Sequence, residues 1–181
     1  MMTPESHSGS DATYAFVARQ IIEASPSGMV LVDALTPDMP LVYVNSAFEE
    51  MTGYAREEVI GLNCRFLQGD DKHQPALALL RQAIKDQVEC TVTLRNYRRD
   101  GRMFWNELRI APLTDPSGRI THFIGIQNDV TERVLNEEIL REDHAELDRF
   151  FAVVLDLMCI TDLQGYFIRL NKAWETTLGY T

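Results

Sequence analysis

The feature that most constrains this chain is a set of three alternating runs near its middle, residues 89–98, 102–113 and 120–129. In each, apolar and polar side chains alternate with the period of two that belongs to a strand with one face buried. They are joined by Arg98-Arg99-Asp100-Gly101-Arg102 and Thr114-Asp115-Pro116-Ser117-Gly118-Arg119, turns short enough to require antiparallel hairpins. Asp-Gly in the first favours the positive backbone angles of such turns. Upstream, strands are predicted at 29–33 and 41–44, separated by Thr36-Pro37-Asp38-Met39-Pro40. A helical lead is expected at 14–24, short helices at 46–52 and 56–60, and a longer one at 74–85, where Leu77, Leu80 and Ile84 recur at helical spacing.

Sorting the three strands by alternation places a carboxamide on each apolar face. Cys90, Val92, Leu94 and Asn96 share one side of the first, Phe104, Asn106, Leu108 and Ile110 one side of the second, and Phe123, Gly125 and Gln127 one side of the third. A buried amide without partners costs roughly 1–3 kcal/mol. Two readings follow for Asn96, Asn106 and Gln127. Either they bond to backbone at strand ends, or they face a planar heterocycle whose edge alternates donors and acceptors. A carboxamide suits such an edge because it offers both roles without charge. Gly125 would leave room on the sheet for the ring.

Self-comparison adds a repeat. The segment from Met29 to Tyr54 returns in shorter form from Met158 to Thr181. Both copies open on a strand ending in Asp (Asp33, Asp162), continue through Asn-x-Ala-Phe/Trp-Glu (Asn45 to Glu49, Asn171 to Glu175) and reach Gly-Tyr. The second copy reads as a fragment, and a longer parent protein is expected. Between the copies, residues 130–155 have a helical pattern with Leu140, Leu147 and Val154 seven apart, interleaved with Val130, Glu137, His144 and Phe151. Two interleaved positions are polar, so any coiled-coil seam is weak. A solvated helix between domains and a helical dimer contact both fit.

Composition narrows the function classes. The 181 residues are 45% hydrophobic and 24% charged, which excludes a disordered tail, a collagen-like fibre and a disulfide miniprotein. A net charge of −10 repels phosphate backbones, so this segment is expected to contact no nucleic acid, while a local basic pocket remains compatible. No apolar run approaches the ~20 residues of a membrane span, and the polar start lacks the regions of a secretory signal. The expected location is cytoplasmic, without membrane contact. Three cysteines and four scattered histidines suggest neither a disulfide framework nor a metal site.

The segment Gly61-Leu62-Asn63-Cys64-Arg65-Phe66-Leu67-Gln68-Gly69 chooses among these readings. Asn63 to Gln68 match the Asn-Cys-Arg-Phe-Leu-Gln signature of LOV domains, the flavin-binding, blue-light-sensing branch of the PAS family. The resemblance continues through Leu94-Arg95-Asn96-Tyr97, Phe104-Trp105-Asn106-Glu107-Leu108 and Phe123 to Asp129, and covers about 24–129. It implies the α+β PAS/LOV fold, a five-stranded antiparallel sheet with short helices, followed by a linker helix. The organisation expected is a polar tail and helical cap at 1–24, the LOV domain at 25–129, a linker at 130–156 and the start of a second PAS domain at 157–181.

The same resemblance assigns roles. Cys64 matches the cysteine that forms a reversible thioether with flavin ring carbon C(4a) under blue light. Arg65 and Arg81 match phosphate contacts, and Asn63, Gln68, Asn96 and Asn106 match positions that bond the ribityl chain and the polar ring edge. Val30, Val32, Leu67, Leu77, Leu80, Leu108 and Phe123 match wall positions. Gln127 matches the switch glutamine, whose amide rotates when ring N(5) gains a proton. With no insertion between Gly69 and Arg81, FMN is implied in preference to FAD. Val32 and Leu108 depart from the threonine and phenylalanine of plant phototropins, which bears on spectral tuning and adduct lifetime. Cys90 and Cys159 keep a packing role. The chain is then a sensory module rather than an enzyme, a homodimer through its linker helix. Its output would be a diguanylate cyclase or phosphodiesterase, a histidine kinase or a transcription factor. The alternatives are a light-independent flavin redox sensor and a cofactor-free PAS interaction domain.

Overall fold

The three central runs form the hairpins that their turns require. In the computed structural model, which describes residues 8–179 and only the backbone of 8–12, they are β3 (Cys90–Tyr97), β4 (Met103–Thr114) and β5 (Ile120–Asp129). Gly101, in the first turn, has φ of 83°. Residues 1–7 of the expected polar tail and 180–181 of the second copy lie outside the described residues. The chain divides into two units, one ending at Thr131 and the other beginning at Glu132.

In the first unit, α1 (Ser8–Glu23) leads into β1 (Gly28–Asp33) and β2 (Leu41–Val44). Then come α2 (Ser46–Thr52), α3 (Arg56–Val59), a single 3-10 turn (Cys64–Gln68) and α4 (Pro75–Asp86). The five strands make one antiparallel sheet in the order β2-β1-β5-β4-β3. β1 therefore pairs with β5, Gly28 opposite Gln127 and Val30 opposite Gly125, across most of the unit's length. This insertion of the first strand beside the last puts the carboxamide strands and the 3-10 turn on one side of the sheet.

The predicted faces hold. Val92, Leu94 and Asn96 on β3, Phe104, Asn106 and Ile110 on β4, and Phe123 and Gln127 on β5 are buried. Two apolar clusters support that face. One is Val30, Leu41, Val44, Phe48, Val59 and Leu67. The other is Leu77, Val92 and Leu94, with Leu80 and Leu108 packed against it. Fully buried Phe48 alone is worth about 1.5–3 kcal/mol of transfer free energy.

Asn45 ties the first repeat together. Its Oδ1 accepts from Met29 N (2.7 Å) and Phe48 N (3.1 Å), and its Nδ2 donates to Ile22 O (2.9 Å) and Ser27 O (3.0 Å). One side chain thus caps α2, holds the start of β1 and fastens the end of α1. Glu23 reinforces the join, accepting from Tyr43 Oη (2.7 Å), Ser46 Oγ (2.8 Å) and Arg56 Nη2 (3.1 Å).

The second unit holds α5 (Thr131–Val153), whose first residue belongs to the first unit, then β6 (Cys159–Thr161), β7 (Phe167–Leu170) and α6 (Ala173–Leu178). β6 and β7 pair as an antiparallel hairpin. One member of the expected helical seam behaves differently from the rest. Phe151 is buried within this unit under the guanidinium of Arg169, 4.8 Å from the ring centroid, so it is used at home. Among the described residues no helix is long and apolar enough to cross a membrane, and no cluster of side chains could hold a metal.

Candidate functional site

A cavity of about 430 Å³ opens between the sheet face, the 3-10 turn and α4, within the size range of small-molecule and cofactor sites. Its wall carries Val30 and Val32 from β1, Leu77 and Leu80 from α4, Leu108 from β4 and Phe123 from β5. Polar groups converge from three directions: Asn63, Cys64, Arg65 and Gln68 from the turn, Arg81 from α4, and Asn96, Asn106 and Gln127 from the sheet. The structure thus brings together residues up to 97 positions apart in sequence, Val30 to Gln127, in one place.

Leu67 is the exception among the expected wall positions. It is 1% exposed and packs with Val30, Leu41 and Phe48 in the core, not on the cavity. The tight 3-10 turn directs it inward, where it supports the turn from behind. Gly125 lies on the cavity wall, as expected, beside Val30. A Cβ there would stand 2.8 Å from Val30 Cγ2, so the absent side chain also makes room for the valine opposite.

The three sheet carboxamides line the cavity and bond chiefly to one another, with only Asn96 reaching backbone. Asn106 Nδ2 donates to Asn96 Oδ1 and to Gln127 Oε1, both at 2.8 Å. Asn96 Nδ2 donates to Arg95 O at 2.9 Å. Asn106 Oδ1 is buried with no partner at all. Such an acceptor costs on the order of 1–3 kcal/mol unless a donor reaches it. Gln127 Nε2 stands 3.9 Å from Cys64 Sγ, so the row of amides ends at the thiol.

Cys64 is placed by its turn. Asn63 Oδ1 accepts from Arg65 N (2.9 Å) and caps the turn, while Asn63 Nδ2 donates to the carbonyls of Asp38 and Met39. Burial pushes the Cys64 thiol up to about 12, with a smaller opposing pull from the Gln127 amide. At neutral pH the group is S–H, not thiolate. Arg65 ion-pairs with Asp38 at the cavity mouth.

Several lining residues were not foreseen. Leu94 and Ile110 border the cavity on the same alternation as Asn96 and Asn106, so their parity held the signal. Met39 comes from the β1–β2 turn with φ of 49°, which no local pattern announces. Lys72 also lines the mouth, a cation four residues past the signature whose place depends on the loop path.

The way from the cavity to α5 runs through the end of β5. Asp129 Oδ1 accepts from Thr131 Oγ1 (2.6 Å) and Thr131 N (2.9 Å), and its other oxygen pairs with Arg98. Burial raises the Asp129 carboxyl, but the Thr131 bonds and Arg98 outweigh it, and the group lies below the ordinary range. Trp105 N donates to Thr131 Oγ1 at 2.8 Å, tying the helix start to β4.

Comparison with known proteins matches this architecture. A PAS domain model matches residues 26–132, and a second matches 145–181. A blue-light photoreceptor of Listeria monocytogenes serovar 1/2a is 36% identical over 152 residues, 82% of this chain and 60% of that protein, so the chain spans less than two thirds of its relative. The solved LOV domain of the Erythrobacter litoralis EL346 blue-light-activated histidine kinase is 46% identical with a TM-score of 0.55, covering 59% of this chain and 98% of that one. An RNA-binding light-oxygen-voltage receptor is 38% identical with a TM-score of 0.70 over 83% of this chain and 42% of its own. That receptor weakens the exclusion of nucleic acid drawn above from net charge. With its five-stranded antiparallel sheet and these matches, the chain belongs to the PAS family, and its first domain to the LOV branch of that family.

Proposed function

We propose that this chain is the blue-light-sensing part of a photoreceptor, which binds a flavin in the cavity and passes its state to α5. The observation that carries the reading is the row Asn96–Asn106–Gln127 ending at Cys64 Sγ, with Asn106 Oδ1 buried and unpartnered. A ring edge bearing N–H and carbonyl groups supplies what that acceptor lacks and still leaves amide donors to answer its oxygens. The apolar wall fits a planar aromatic body, and the cations at the mouth fit a phosphate. FMN is the flavin proposed.

When bound, the flavin supplies the light absorption and an excited ring carbon that takes up the Cys64 sulfur reversibly. Cys64 holds its proton on Sγ in the dark, which keeps it unreactive toward ordinary electrophiles and gives it a proton to deliver. Gln127 answers the proton movement by rotating its amide, which alters the bond to Asn106 at 2.8 Å. Strand β5 carries that change two residues to Asp129, the cap of α5. The coupling need supply only about 1–3 kcal/mol.

The helix would convey the change to a second copy of the chain. Leu140 and Leu147, two members of the predicted seam, are exposed, as are Leu135 and Ile139. A dimer through α5 covers them. The reading makes the chain a sensor, with any catalytic output lying in other parts of a longer protein.

The test is the absorption spectrum of the purified protein before and after a blue pulse. A flavin band that bleaches and recovers in darkness is expected, and Cys64→Ala abolishes the bleaching while retaining the colour. A yellow protein that never bleaches sinks the light reading. If Gln127→Leu still bleaches and α5 responds in full, the relay is wrong.

A further inference from the structure

The row of amides on the sheet has a direction, and one group fixes it. Turning all three amides over would reverse each link. Asn96 Nδ2 and Gln127 Nε2 would then donate to Asn106 Oδ1, the buried acceptor that otherwise has no partner. Gln127 Oε1 would face the Cys64 thiol, which both donates and accepts weakly, so that end tolerates either arrangement. Among the described residues, only the other end discriminates. There Asn96 Nδ2 donates to Arg95 O at 2.9 Å, and a backbone carbonyl accepts but never donates. A reversed Asn96 would set oxygen against oxygen.

Arg95 O is held from behind by Gln74. This residue precedes α4, with Pro75 at the first helical position, a place where a short polar side chain would cap the helix. The longer glutamine makes no cap bond and reaches β3 instead. Its Oε1 accepts from Arg95 N at 2.6 Å and its Nε2 donates to Arg95 O at 2.8 Å, gripping both main-chain groups of one residue. Nε2 also donates to Asp71 O at 3.0 Å. β3 is an edge strand, so no further strand is there to hold these groups. Gln74 is buried but does not line the cavity, whereas Asn96, Asn106 and Gln127 all do. Asp71 fastens the Arg95 side chain separately, taking Nε on Oδ2 at 2.7 Å and Nη2 on Oδ1 at 3.1 Å.

We propose that Gln74 is a positioning residue of the flavin site. By holding the Arg95 carbonyl it fixes the direction of the Asn96–Asn106–Gln127 row, and with it the dark orientation of the Gln127 amide. The inference rests on the flavin reading above and deepens it, because a rotating amide reports a proton only from a defined starting orientation. Without Gln74 the Arg95 peptide is free to turn toward water, and the carbonyl that opposes reversal withdraws. The reversed row then gains, since it gives Asn106 Oδ1 two donors. Gln74 thus holds the less satisfied of two arrangements, which keeps Asn106 Oδ1 open for a donor on the ligand.

The experiment follows the side-chain amide resonances of Asn96, Asn106 and Gln127 in isotope-labelled, flavin-free full chain. The wild type should show one set, and two comparably populated sets would overturn the assignment. Gln74→Met keeps the length and removes the bonds. It should raise the reversed fraction about tenfold, giving a second set for all three residues together. Gln74→Glu still accepts from Arg95 N but cannot donate to Arg95 O. It should act in the same direction, and it serves if the methionine variant does not fold. Asp71→Asn loosens the Arg95 side chain alone and should leave a single set. An unchanged row in the Gln74 variants, or an equal change in Asp71→Asn, sinks the proposal. Loaded with FMN, the Gln74 variants should also shift the flavin carbonyl stretches in the dark infrared spectrum, while Asp71→Asn leaves them in place. If the wild type takes up no FMN, the flavin reading has failed and the role of Gln74 in that site falls with it.

Discussion

Asn45 and Asn171 occupy the same place in the two copies of the repeat and make much the same bonds. Each Oδ1 accepts from the first residue of its copy, Met29 N at 2.7 Å and Met158 N at 3.0 Å. Each Nδ2 donates to two carbonyls of the preceding segment, Ile22 and Ser27 in one case, Val154 and Asp156 in the other. Gly53 and Gly179 close the following helices in the left-handed conformation, with φ of 76° and 74°. What differs is burial. In the first copy Val30, Leu41, Val44 and Phe48 are in the core. In the second every residue of β6 and β7 is exposed, and Trp174 is half-buried against Phe167, with ring centroids 5.5 Å apart. A pattern of polar latches is enough to specify local geometry, whereas the burial of the first copy comes with its packing against the sheet that β3–β5 complete.

Paired substitutions sharpen this contrast. The largest expected effect is Phe48→Ala, about 3–5 kcal/mol in chemical denaturation, because a fully buried ring leaves a cavity. Trp174→Ala should cost about 1–2 kcal/mol, read as amide exchange of β6 and β7, since its ring is already partly in water. Comparable losses from the two would break the argument. Next comes Asn45→Ala, about 3 kcal/mol for four bonds, one of them the helix cap, set against about 1 kcal/mol for Asn171→Ala.

Acid should separate the units through Glu23. The Tyr43 hydroxyl, with Ser46 and Arg56, draws its carboxyl from 4.5 to about 2, against the opposing effect of burial. A carboxylate depressed in the folded state contributes stability above its unfolded pKa. That contribution is lost as pH falls from 4.5 toward 2, freeing the end of α1. Leu155, which follows the carbonyl of Val154 in the second unit, is 91% exposed and offers no such group. Glu23→Gln should flatten this part of the pH–stability curve, and an unaltered curve would remove Glu23 as its source.

The smallest perturbation is chemical labelling. At pH 8 iodoacetamide should modify exposed Cys159 well before Cys64, whose thiol stays protonated up to about 12. Mass spectrometry of timed samples reads the order. Equal rates would show that Cys64 is neither sequestered nor protonated as the cavity geometry requires.

Much of the fold was legible because it is written locally. The alternation of β3–β5, the Asp-Gly turn and the helical spacing of Leu77, Leu80 and Ile84 depend on neighbours within a few residues. So does the signature turn, where Asn63 caps the residue beyond the one that follows it. Parity alone also put Asn96, Asn106 and Gln127 on the inner face. Less legible was how those amides are satisfied. Their mutual bonds and the orphaned Asn106 Oδ1 depend on three strands in register, a fact spread over separate segments. Leu67 fails as a wall residue for the same reason, since its direction is set by the turn's seating on the core.

The amino-acid sequence by itself determined the strands, their faces, the repeat and the chemistry of the Asn63–Gln68 segment, all short-range properties of backbone and side-chain type. The tertiary structure decided the insertion of β1 between β2 and β5, since pairing Gly28 with Gln127 is a contact between chain ends that no local rule announces. From that pairing came the meeting of Val30 with Gly125, the closure of the cavity and the approach of Gln127 to Cys64. It also decided which cations face the mouth, because charge is a property of a residue but its position is a property of its surroundings.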